Sequence, residues 1–301
     1  MQSHLWRCLS PRMLTIVAVL GVIALCGTLC IGPYRQVAFL ESIEHRNGAV
    51  VTTPRGWPWL RDLFGTRFAR GLDVVESVNW SAASAPVTDG DMQRMTQFRN
   101  LKGLWLSGTD ITDRGMESLG QLKDLEELGL DDTVIGDRGL EHIAELEGMS
   151  GLGIRNTRVT DAGMRHLTAF SQLASLDVSQ TSITDEGGKQ ICKLSALISL
   201  RMSDTRISSR TAKRLESLTK LWQLYVDGTR VDNEGLAHLE TLRHLRQLDI
   251  SRTSVSDDGL EHLFRLRSVG WMNVSGTLLT SDGRRELENR LPGCSFDPDY
   301  R

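Results

Sequence analysis

The chain has 301 residues, and its 35 lysines and arginines stand against 38 aspartates and glutamates, which gives a formal net charge of −3. This balance excludes a surface built to neutralise nucleic-acid phosphates, because such a surface needs a clustered positive excess. Hydrophobic residues make up 40% of the chain, which excludes a largely disordered protein. The length alone predicts about two domains, and a sequence repeat would override that expectation.

Residues 13–32 read MLTIVAVLGVIALCGTLCIG and carry no charge. A helix of this length spans about 30 Å, the thickness of the hydrocarbon core of a bilayer. A cleaved signal peptide is the alternative, but its apolar part usually has about 7–15 residues and leads into a small-residue cleavage site, which this stretch lacks. We therefore expect residues 1–12 to be a short tail and residues 13–32 to be an uncleaved, single-pass transmembrane anchor.

Flanking charge does not decide the orientation of this anchor, because Arg7 and Arg12 before it are balanced by Arg35 and Arg46 after it. A short tail followed by a large folded part is the usual form of a signal anchor. We therefore expect the amino terminus inside and the bulk of the chain on the exported side of the membrane.

Residues 33–76 are interpreted as a juxtamembrane link and amino-terminal cap. An apolar group in this segment is expected to cover the otherwise exposed amino-terminal edge of the fold that follows. This group consists of Trp57, Trp59, Leu60, Leu63 and Phe64. The segment either folds independently or only caps the first repeat.

A period of 24 residues begins at Leu101, where the sequence reads LKGLWLSGTDITDRGMESLGQLKD. Seven further units follow without an insertion, and they start at Leu125, Met149, Leu173, Leu197, Leu221, Leu245 and Val269. One degenerate copy precedes them at 77–100. The repeat region is therefore expected to cover 77–292, about nine units, with 293–301 as a carboxyl-terminal cap tail.

The apolar spacing changes within each unit. Leu128 and Leu130 have the spacing of a strand, whereas Leu140, Ile143 and Leu146 share one face of a helix. A single strand and helix cannot bury their apolar faces, so the units must stack. We expect an α/β solenoid, a horseshoe arc of about 40 Å with parallel strands inside and helices outside.

The helix entry of the unit has recurring residues. Four threonines are expected to be N-caps, with a carboxylate or serine next in the first turn: Thr112, Thr160, Thr184 and Thr280. A glycine two residues after this first-turn carboxylate position is expected to allow close backbone approach: Gly115, Gly139, Gly163, Gly187, Gly235 and Gly259.

The ninth position of the unit is threonine in all eight regular copies: Thr109, Thr133, Thr157, Thr181, Thr205, Thr229, Thr253 and Thr277. A residue that recurs at one place in every unit performs a repeated structural task. We therefore expect a ladder of hydroxyls that satisfies loop backbone groups, rather than a catalytic or phosphorylated site.

The pattern LxxLxLxxTxITDxGLxxL resembles the leucine-rich repeat family, with Thr where the general consensus has Asn or Cys. Its helix entry is similar to the ribonuclease-inhibitor-like subtype of F-box proteins and of membrane-anchored bacterial proteins of unassigned role. The closing LPGC at 291–294 resembles an end cap of the family, and residues 57–65 resemble its link from anchor to first repeat. The resemblance implies non-catalytic protein binding through the concave face.

Side chains that flank the strand leucines are expected on the concave face, where solenoids bind partners. Aromatic residues and arginines there are types favoured at interface hot spots, and ordinary surface scatter is the alternative. The predicted protein-binding residues are Trp105, Asp131, Arg155, Asp177, Arg201, Tyr225, Asp227, Asp249, Arg252 and Trp271.

Two other columns of the repeat are interpreted as solvent-facing. Arg158, Arg206 and Arg230 share the tenth position, where a basic stripe for an anionic partner is the alternative to a solvated edge. The eighteenth position holds His142, His166, His238 and His262, which lack carboxylate or thiolate companions at a fixed spacing. A metal site is therefore not expected there.

The spacing of reactive side chains predicts no catalytic site. The five cysteines include no CxxC pair, and no GxSxG, HExxH, phosphate-binding glycine loop or dinucleotide fingerprint occurs. We predict no enzyme activity and no cofactor, and a monomeric, membrane-anchored module that binds a protein and no nucleic acid. The alternatives are a substrate-selecting adaptor of the F-box type, which the lack of an F-box-like module disfavours, and a structural envelope spacer.

Overall fold

The computed structural model describes residues 32–55, 65–81 and 83–297. The predicted anchor lies outside this part of the chain except for Gly32, and so do the five apolar residues expected to cap the fold, Trp57 to Phe64. No helix in the described part is long and apolar enough to cross a membrane.

A single sheet of 11 strands runs through the molecule in chain order. Its strands are β1 (Ala49–Thr53), β2 (Val74–Asn79), β3 (Gly103–Trp105), β4 (Glu127–Gly129), β5 (Gly151–Gly153), β6 (Ser175–Asp177), β7 (Ser199–Arg201), β8 (Gln223–Tyr225), β9 (Gln247–Asp249), β10 (Trp271–Asn273) and β11 (Ser295–Phe296). β1 pairs with β2 in antiparallel fashion, and the pairs from β2 to β11 are parallel.

A helix follows almost every strand. The helices are α1 (Thr66–Arg70), α2 (Asp89–Met95), α3 (Asp113–Leu119), α4 (Asp137–Ile143), α5 (Asp161–Met164), α6 (Asp185–Ile191), α7 (Ser209–Leu215), α8 (Asn233–Leu239), α9 (Leu260–Arg265) and α10 (Ser281–Arg290). Residues 32–45 are also helical, and 3-10 turns occur at His166–Ala169 and Asp257–Gly259. The alternation confirms the predicted strand-helix solenoid.

The core is a continuous layer between the sheet and the helices. In the unit that starts at Leu125, seven apolar side chains are at most 2% exposed: Leu125, Leu128, Leu130, Ile135, Leu140, Ile143 and Leu146. Neighbouring strands pair leucine on leucine, as Leu104 with Leu128 and Leu128 with Leu152. Burial of each such side chain contributes about 1.5–3 kcal/mol, and no unit obtains it without its neighbours.

The first unit departs from the 24-residue spacing. Ser77 pairs with Gly103, 26 residues further on, so β2 begins before the predicted repeat boundary at residue 77. The helix entry nevertheless keeps the regular spacing, because the Asp110 N–H donates to the Val87 carbonyl at 3.1 Å across 23 residues, the same separation as between Arg158 and Ile135 in a regular unit. Two additional residues therefore lie in the loop between β2 and α2.

The amino-terminal edge of the core is covered by the helical segment 32–45. Its side chains Phe39, Leu40 and Ile43 are fully buried. The ring of Phe39 packs edge-on against Trp80 at 5.9 Å between centroids and stacks on Phe98 at 5.8 Å. Phe39, Leu40 and Ile43 lie in the region 33–76 that was interpreted as a cap, but they are not the apolar group that was expected to form it.

The carboxyl-terminal tail closes the opposite edge. After α10, the Cys294 N–H donates to the Leu291 carbonyl at 3.0 Å, and the chain turns into β11. Ser295 pairs with Trp271 and Phe296 with Met272, one period apart. The tail thus adds a short edge strand to the sheet.

The predicted N-caps are confirmed, because the side chains of Thr112, Thr160, Thr184 and Thr280 each accept a backbone N–H of the following helix. The aspartates in the first turn of these helices do more than complement a helix dipole. They reach the next unit, where Asp137 accepts the Thr160 N–H at 2.8 Å and its hydroxyl at 2.7 Å. Asp89, Asp161, Asp185 and Asp257 make the same pair of bonds.

The helix-entry glycines make room for this aspartate ladder. A Cβ at Gly187 would lie 2.5 Å from Asp161 Oδ1, and a Cβ at Gly139 would lie 2.7 Å from Asp113 Oδ1. The predicted close approach is therefore made by a polar side chain of the preceding unit rather than by its backbone, and this side chain is a carboxylate at four of the six glycines.

The aspartate ladder makes stability depend on pH. Burial raises the pKa of Asp185, but hydrogen bonds from Ser208 and Thr211 outweigh this and hold the pKa below its usual value. A lowered pKa in the folded state means that this stabilisation is present above the ordinary carboxyl pKa of about 4 and is lost as the pH falls through the folded value.

Between pH 5 and pH 2, we expect the urea midpoint of the Asp185→Asn variant to fall less than the urea midpoint of the native chain. Asn233 already makes the equivalent bonds, accepting the Ser256 N–H at 3.0 Å and donating to its hydroxyl at 2.8 Å, so the variant is expected to fold. Urea titrations at several pH values measure this, and parallel pH curves for the two chains would contradict it.

Candidate functional site

The concave face consists of the side chains at the third, fifth, seventh and eighth positions of each unit. The third and fifth positions flank the buried strand leucine at the fourth, so the alternation of a strand turns them away from the helices. All ten predicted binding residues belong to these columns: Trp271 to the third, Arg252 to the eighth, and the others to the fifth or seventh.

The backbone turns sharply where each strand leaves this face. The eighth residue of every regular unit has a positive φ, between 50° and 71°. These residues are Gly108, Asp132, Asn156, Gln180, Asp204, Gly228, Arg252 and Gly276. Five of them carry a side chain in a conformation that favours glycine, which fixes the direction of those side chains at the rim of the face.

The threonine column closes this turn. Each hydroxyl donates to the backbone carbonyl three residues earlier, at 2.5–2.7 Å. Most of these side chains are less than 9% exposed. Because the hydroxyls are engaged within their own units, they are not presented to a partner.

A shallow cavity of about 360 Å³ lies at the centre of the face, between β5 and β9. On one side Arg252 forms ion pairs with Asp204 at 2.9 Å and with Asp227 at 2.6 Å, while Ser203 donates to Asp227. Hydrogen bonds to these two carboxylates raise the pKa of Arg252. This side of the cavity is therefore a compensated, preorganised network.

The other side of the cavity has a less compensated cation. The guanidinium of Arg201 is 49% exposed and lies 4.0 Å from the Asp177 carboxylate. It lies over the ring of Tyr225 at 5.1 Å, and that ring contacts Trp271 at 6.0 Å between centroids. The Tyr225 hydroxyl donates to Gln247 Oε1 at 3.0 Å, which fixes the ring. We call Arg201, Tyr225 and Trp271 the aromatic-arginine cluster.

Trp105 does not belong to this cluster. It lies on β3, five strands from Tyr225, a separation of about 24 Å at the usual strand spacing. Its indole packs against Gly103 and Gly129 on the surface of the sheet. The contact is so close that a Cβ added at either glycine would lie within 2.8 Å of the ring. The predicted surface is therefore divided into two aromatic areas.

Three predicted aspartates serve the backbone of the face. Asp131 accepts the Arg155 N–H at 2.9 Å, and Asp177 and Asp249 accept the N–H two residues ahead at 2.9 Å. Asp249 is only 8% exposed, and burial raises its pKa. Burial, together with the neighbouring Asp177 and Asp132 charges, also raises the pKa of Asp131.

The sequence pattern of the family described as Leucine Rich repeat matches residues 99–120, 173–192 and 241–264. The matched segments are units of the repeat whose strands and helices stack in the sheet described above. The chain is a leucine-rich repeat protein.

Two solved structures are similar to this leucine-rich repeat protein. An internalin (inlF) from Listeria monocytogenes str. 4b F2365 shares 16% identity over 71% of each chain, with a TM-score of 0.49. An internalin C2 (inlC2) of the same strain shares 20% identity over 70% of this chain and 84% of its own, with a TM-score of 0.51. At 20% identity, the likeness to internalin C2 shows the fold alone. No curated protein sequence matches the chain.

One exposed aromatic residue of the leucine-rich repeat protein was missed by the sequence analysis. Trp222 is 42% exposed and neighbours Ile198, which is 48% exposed. Both occupy the second position, at the edge where strands begin, and other units have Lys102, Glu126 or Arg246 there. The other six regular units have charged or small residues in this column, so two adjacent large apolar residues there were the available signal.

Two of the four histidines in this column have acidic companions, contrary to the prediction. His238 Nδ1 lies 2.5 Å from Glu216, and His262 Nδ1 lies 2.6 Å from Glu240. The glutamates lie 22 residues earlier, on the preceding unit, a spacing that matters only once units stack. Within the described residues, no group of three or more His, Cys, Asp or Glu side chains is arranged to hold a metal ion.

The remaining polar columns are structural or solvated. Arg158, Arg206 and Arg230 are exposed at the edge beyond the turn. Burial raises the pKa of Cys192 to about 12 and that of Cys294 to about 11, so both thiols are protonated and weakly nucleophilic at neutral pH.

Proposed function

We propose that this leucine-rich repeat protein is a non-catalytic binding module that holds a protein partner on the carboxyl-terminal half of its concave face. The aromatic-arginine cluster is the observation that supports this. It combines an exposed guanidinium with two aromatic rings that are already fixed by neighbours, which lowers the entropy cost of binding. Arginine and aromatic residues in this arrangement are the usual anchors of protein interfaces.

The surroundings of the cluster favour a polar, protein-sized contact. Arg155, Arg201 and Arg252 line one cavity, and Asp204 and Asp227 compensate only the last of them. The guanidinium groups of Arg155 and Arg201 are less compensated than that of Arg252, and they suit carboxylates of a partner, which arginine binds through paired N–H donors. The concave carboxylates at 131, 177 and 249 accept backbone N–H groups, which supports a structural rather than an acid–base role for them.

The membrane part of the proposal rests on the sequence. The uncharged stretch 13–32 supports an uncleaved anchor, because it is long enough to cross the hydrocarbon core of a bilayer. We propose a single-pass, monomeric protein whose repeats face the exported side. An adaptor of the F-box type requires repeats in the cytosol, so digestion of the repeats by protease added outside intact cells distinguishes the two.

The binding prediction concerns a triple variant, Arg201→Glu with Tyr225→Ala and Trp271→Ala. We expect it to retain at least tenfold less of a protein partner than the native full-length chain does, because anchors of an interface carry most of its binding energy. Affinity capture from detergent-solubilised envelopes, quantified by mass spectrometry, measures the retained amount.

The matched control is Arg206→Glu with Ile198→Ala and Trp222→Ala, which makes the same charge reversal and also removes a tryptophan away from the concave face. A partner lost by the cluster variant and retained by the control supports the proposal. Equal capture by the native chain and the cluster variant contradicts it and favours the envelope spacer.

A further inference from the structure

The amino-terminal end of the solenoid has a cavity of about 780 Å³ between the helical segment 32–45 and α2 with the turn that follows it. Three exposed arginines line it, Arg35, Arg94 and Arg99, together with the amides Gln93 and Gln97. Among the described residues, no carboxylate lines this cavity. We call it the amino-terminal arginine cleft.

The nearby carboxylates are already engaged. Each of three other arginines at this end binds a carboxylate through both of its guanidinium arms, so those charges cancel. The pairs are Arg46 with Asp91, Arg67 with Glu41, and Arg70 with Glu44. Because these three pairs are neutral, the arginines of the cleft concentrate positive charge at this end, although the formal net charge of the whole chain is −3.

The cleft is rigid on one side. The guanidinium of Arg94 lies over the ring of Phe39 at 3.9 Å, and Phe39 is fully buried in the core. Stacking covers one face of the guanidinium and leaves its N–H donors in the plane free to point into the cavity. A planar, fixed fork of donors suits the oxygens of a phosphate group.

The cleft lies where the apolar stretch ends. Arg35 is three residues beyond Gly32, and residues 32–45 are helical, so it lies about 5 Å from Gly32 along the helix axis. A headgroup layer extends about 5–7 Å beyond the hydrocarbon core. Arg94 and Arg99 line the same cavity as Arg35, so they also lie near the end of the apolar stretch.

We propose that the amino-terminal arginine cleft binds the phosphate of an acidic phospholipid headgroup in the membrane that holds residues 13–32. This inference rests on the proposed membrane anchoring. Binding at this end would fix the orientation of the repeats relative to the bilayer, because the arginines come from two elements of the rigid cap, segment 32–45 and the α2 region.

The experiment compares the native full-length chain in neutral detergent with the variant Arg35→Gln, Arg94→Gln and Arg99→Gln. Native mass spectrometry measures the binding of phosphatidylglycerol and phosphatidylcholine to each. We expect the native chain to prefer phosphatidylglycerol and the variant to bind it at least tenfold more weakly, since three cationic groups near an anionic lipid are lost. Circular dichroism confirms that the variant is folded.

The matched control, Arg158→Gln with Arg206→Gln and Arg230→Gln, removes the same number of charges from the distant edge and should bind like the native chain. Equal binding of the two lipids by the native chain, or unchanged binding by the cleft variant, overturns the proposal. Displacement of the lipid by an equal concentration of inorganic phosphate also overturns it, because the source would then be free phosphate. Extraction with alkaline carbonate tests the anchor separately, since residues 13–32 are intact in every variant.

Discussion

Asp161→Ala is expected to lower the free energy of unfolding by about 2–4 kcal/mol, although the residue lies outside the predicted binding surface. Its carboxylate accepts the Thr184 N–H at 2.8 Å, the Thr184 hydroxyl at 2.6 Å and the Gly187 N–H at 2.9 Å. Alanine leaves three donors of the next unit without an acceptor, and each unmade bond to a charged group costs about 1–3 kcal/mol before relaxation. Urea unfolding followed by circular dichroism measures the loss.

Glu186→Ala is the matched control for this variant. Glu186 is exposed in the first turn of α6, so its removal deletes a carboxylate at the same kind of position relative to a helix dipole. We expect little change in the urea midpoint of the control. Equal losses in the two variants would show that Asp161 acts through the dipole and not through the bonds between units.

Leu200→Ala is expected to cost about 2–5 kcal/mol, the usual range for truncation of a fully buried leucine that leaves a cavity. Leu200 is unexposed at the centre of β7 and pairs with Leu176 on one side and Leu224 on the other. The cavity opens between the sheet and the helices of adjoining units, where stacked neighbours prevent collapse. The urea midpoint measures the effect.

Ile198→Ala tests whether burial, rather than hydrophobicity, accounts for the loss at Leu200. The two residues are separated by one position, and a strict alternation would turn both toward the core. Ile198 is nevertheless 48% exposed, because it precedes β7 at the edge of the sheet. We expect the Ile198→Ala midpoint to stay close to that of the native chain, and a loss as large as that of Leu200→Ala would contradict the packing described here.

These variants bear on function because the concave face is built from three-residue strands. The aromatic-arginine cluster spans β7, β8 and β10, so its geometry depends on the register between units. Variants of the aspartate ladder are therefore expected to weaken partner binding only to the extent that they unfold units. Variants of the cluster are expected to weaken partner binding with an unchanged urea midpoint.

The sequence by itself determined the period, the strand and helix of each unit, the N-caps and the threonine column. These features depend on interactions within one unit or between equivalent positions of neighbours, and eight aligned copies repeat the same local pattern. The strand position of Leu128 and the helix position of Ile143 are apolar and buried in all eight regular copies, so the fold follows from the pattern. The membrane anchor stays a sequence prediction.

Only the tertiary structure decided which residues of different units meet. Glu216 and His238 are 22 residues apart and become partners only when their units stack. Trp105 and Tyr225 were predicted to share one binding surface, but they lie five strands apart in the sheet. The contacts that close the two ends of the solenoid were equally hidden, because the repeat pattern stops there. The cap by Phe39, the 26-residue offset of β2 and the amino-terminal arginine cleft arise from single, unrepeated contacts, and such contacts leave no period in a sequence.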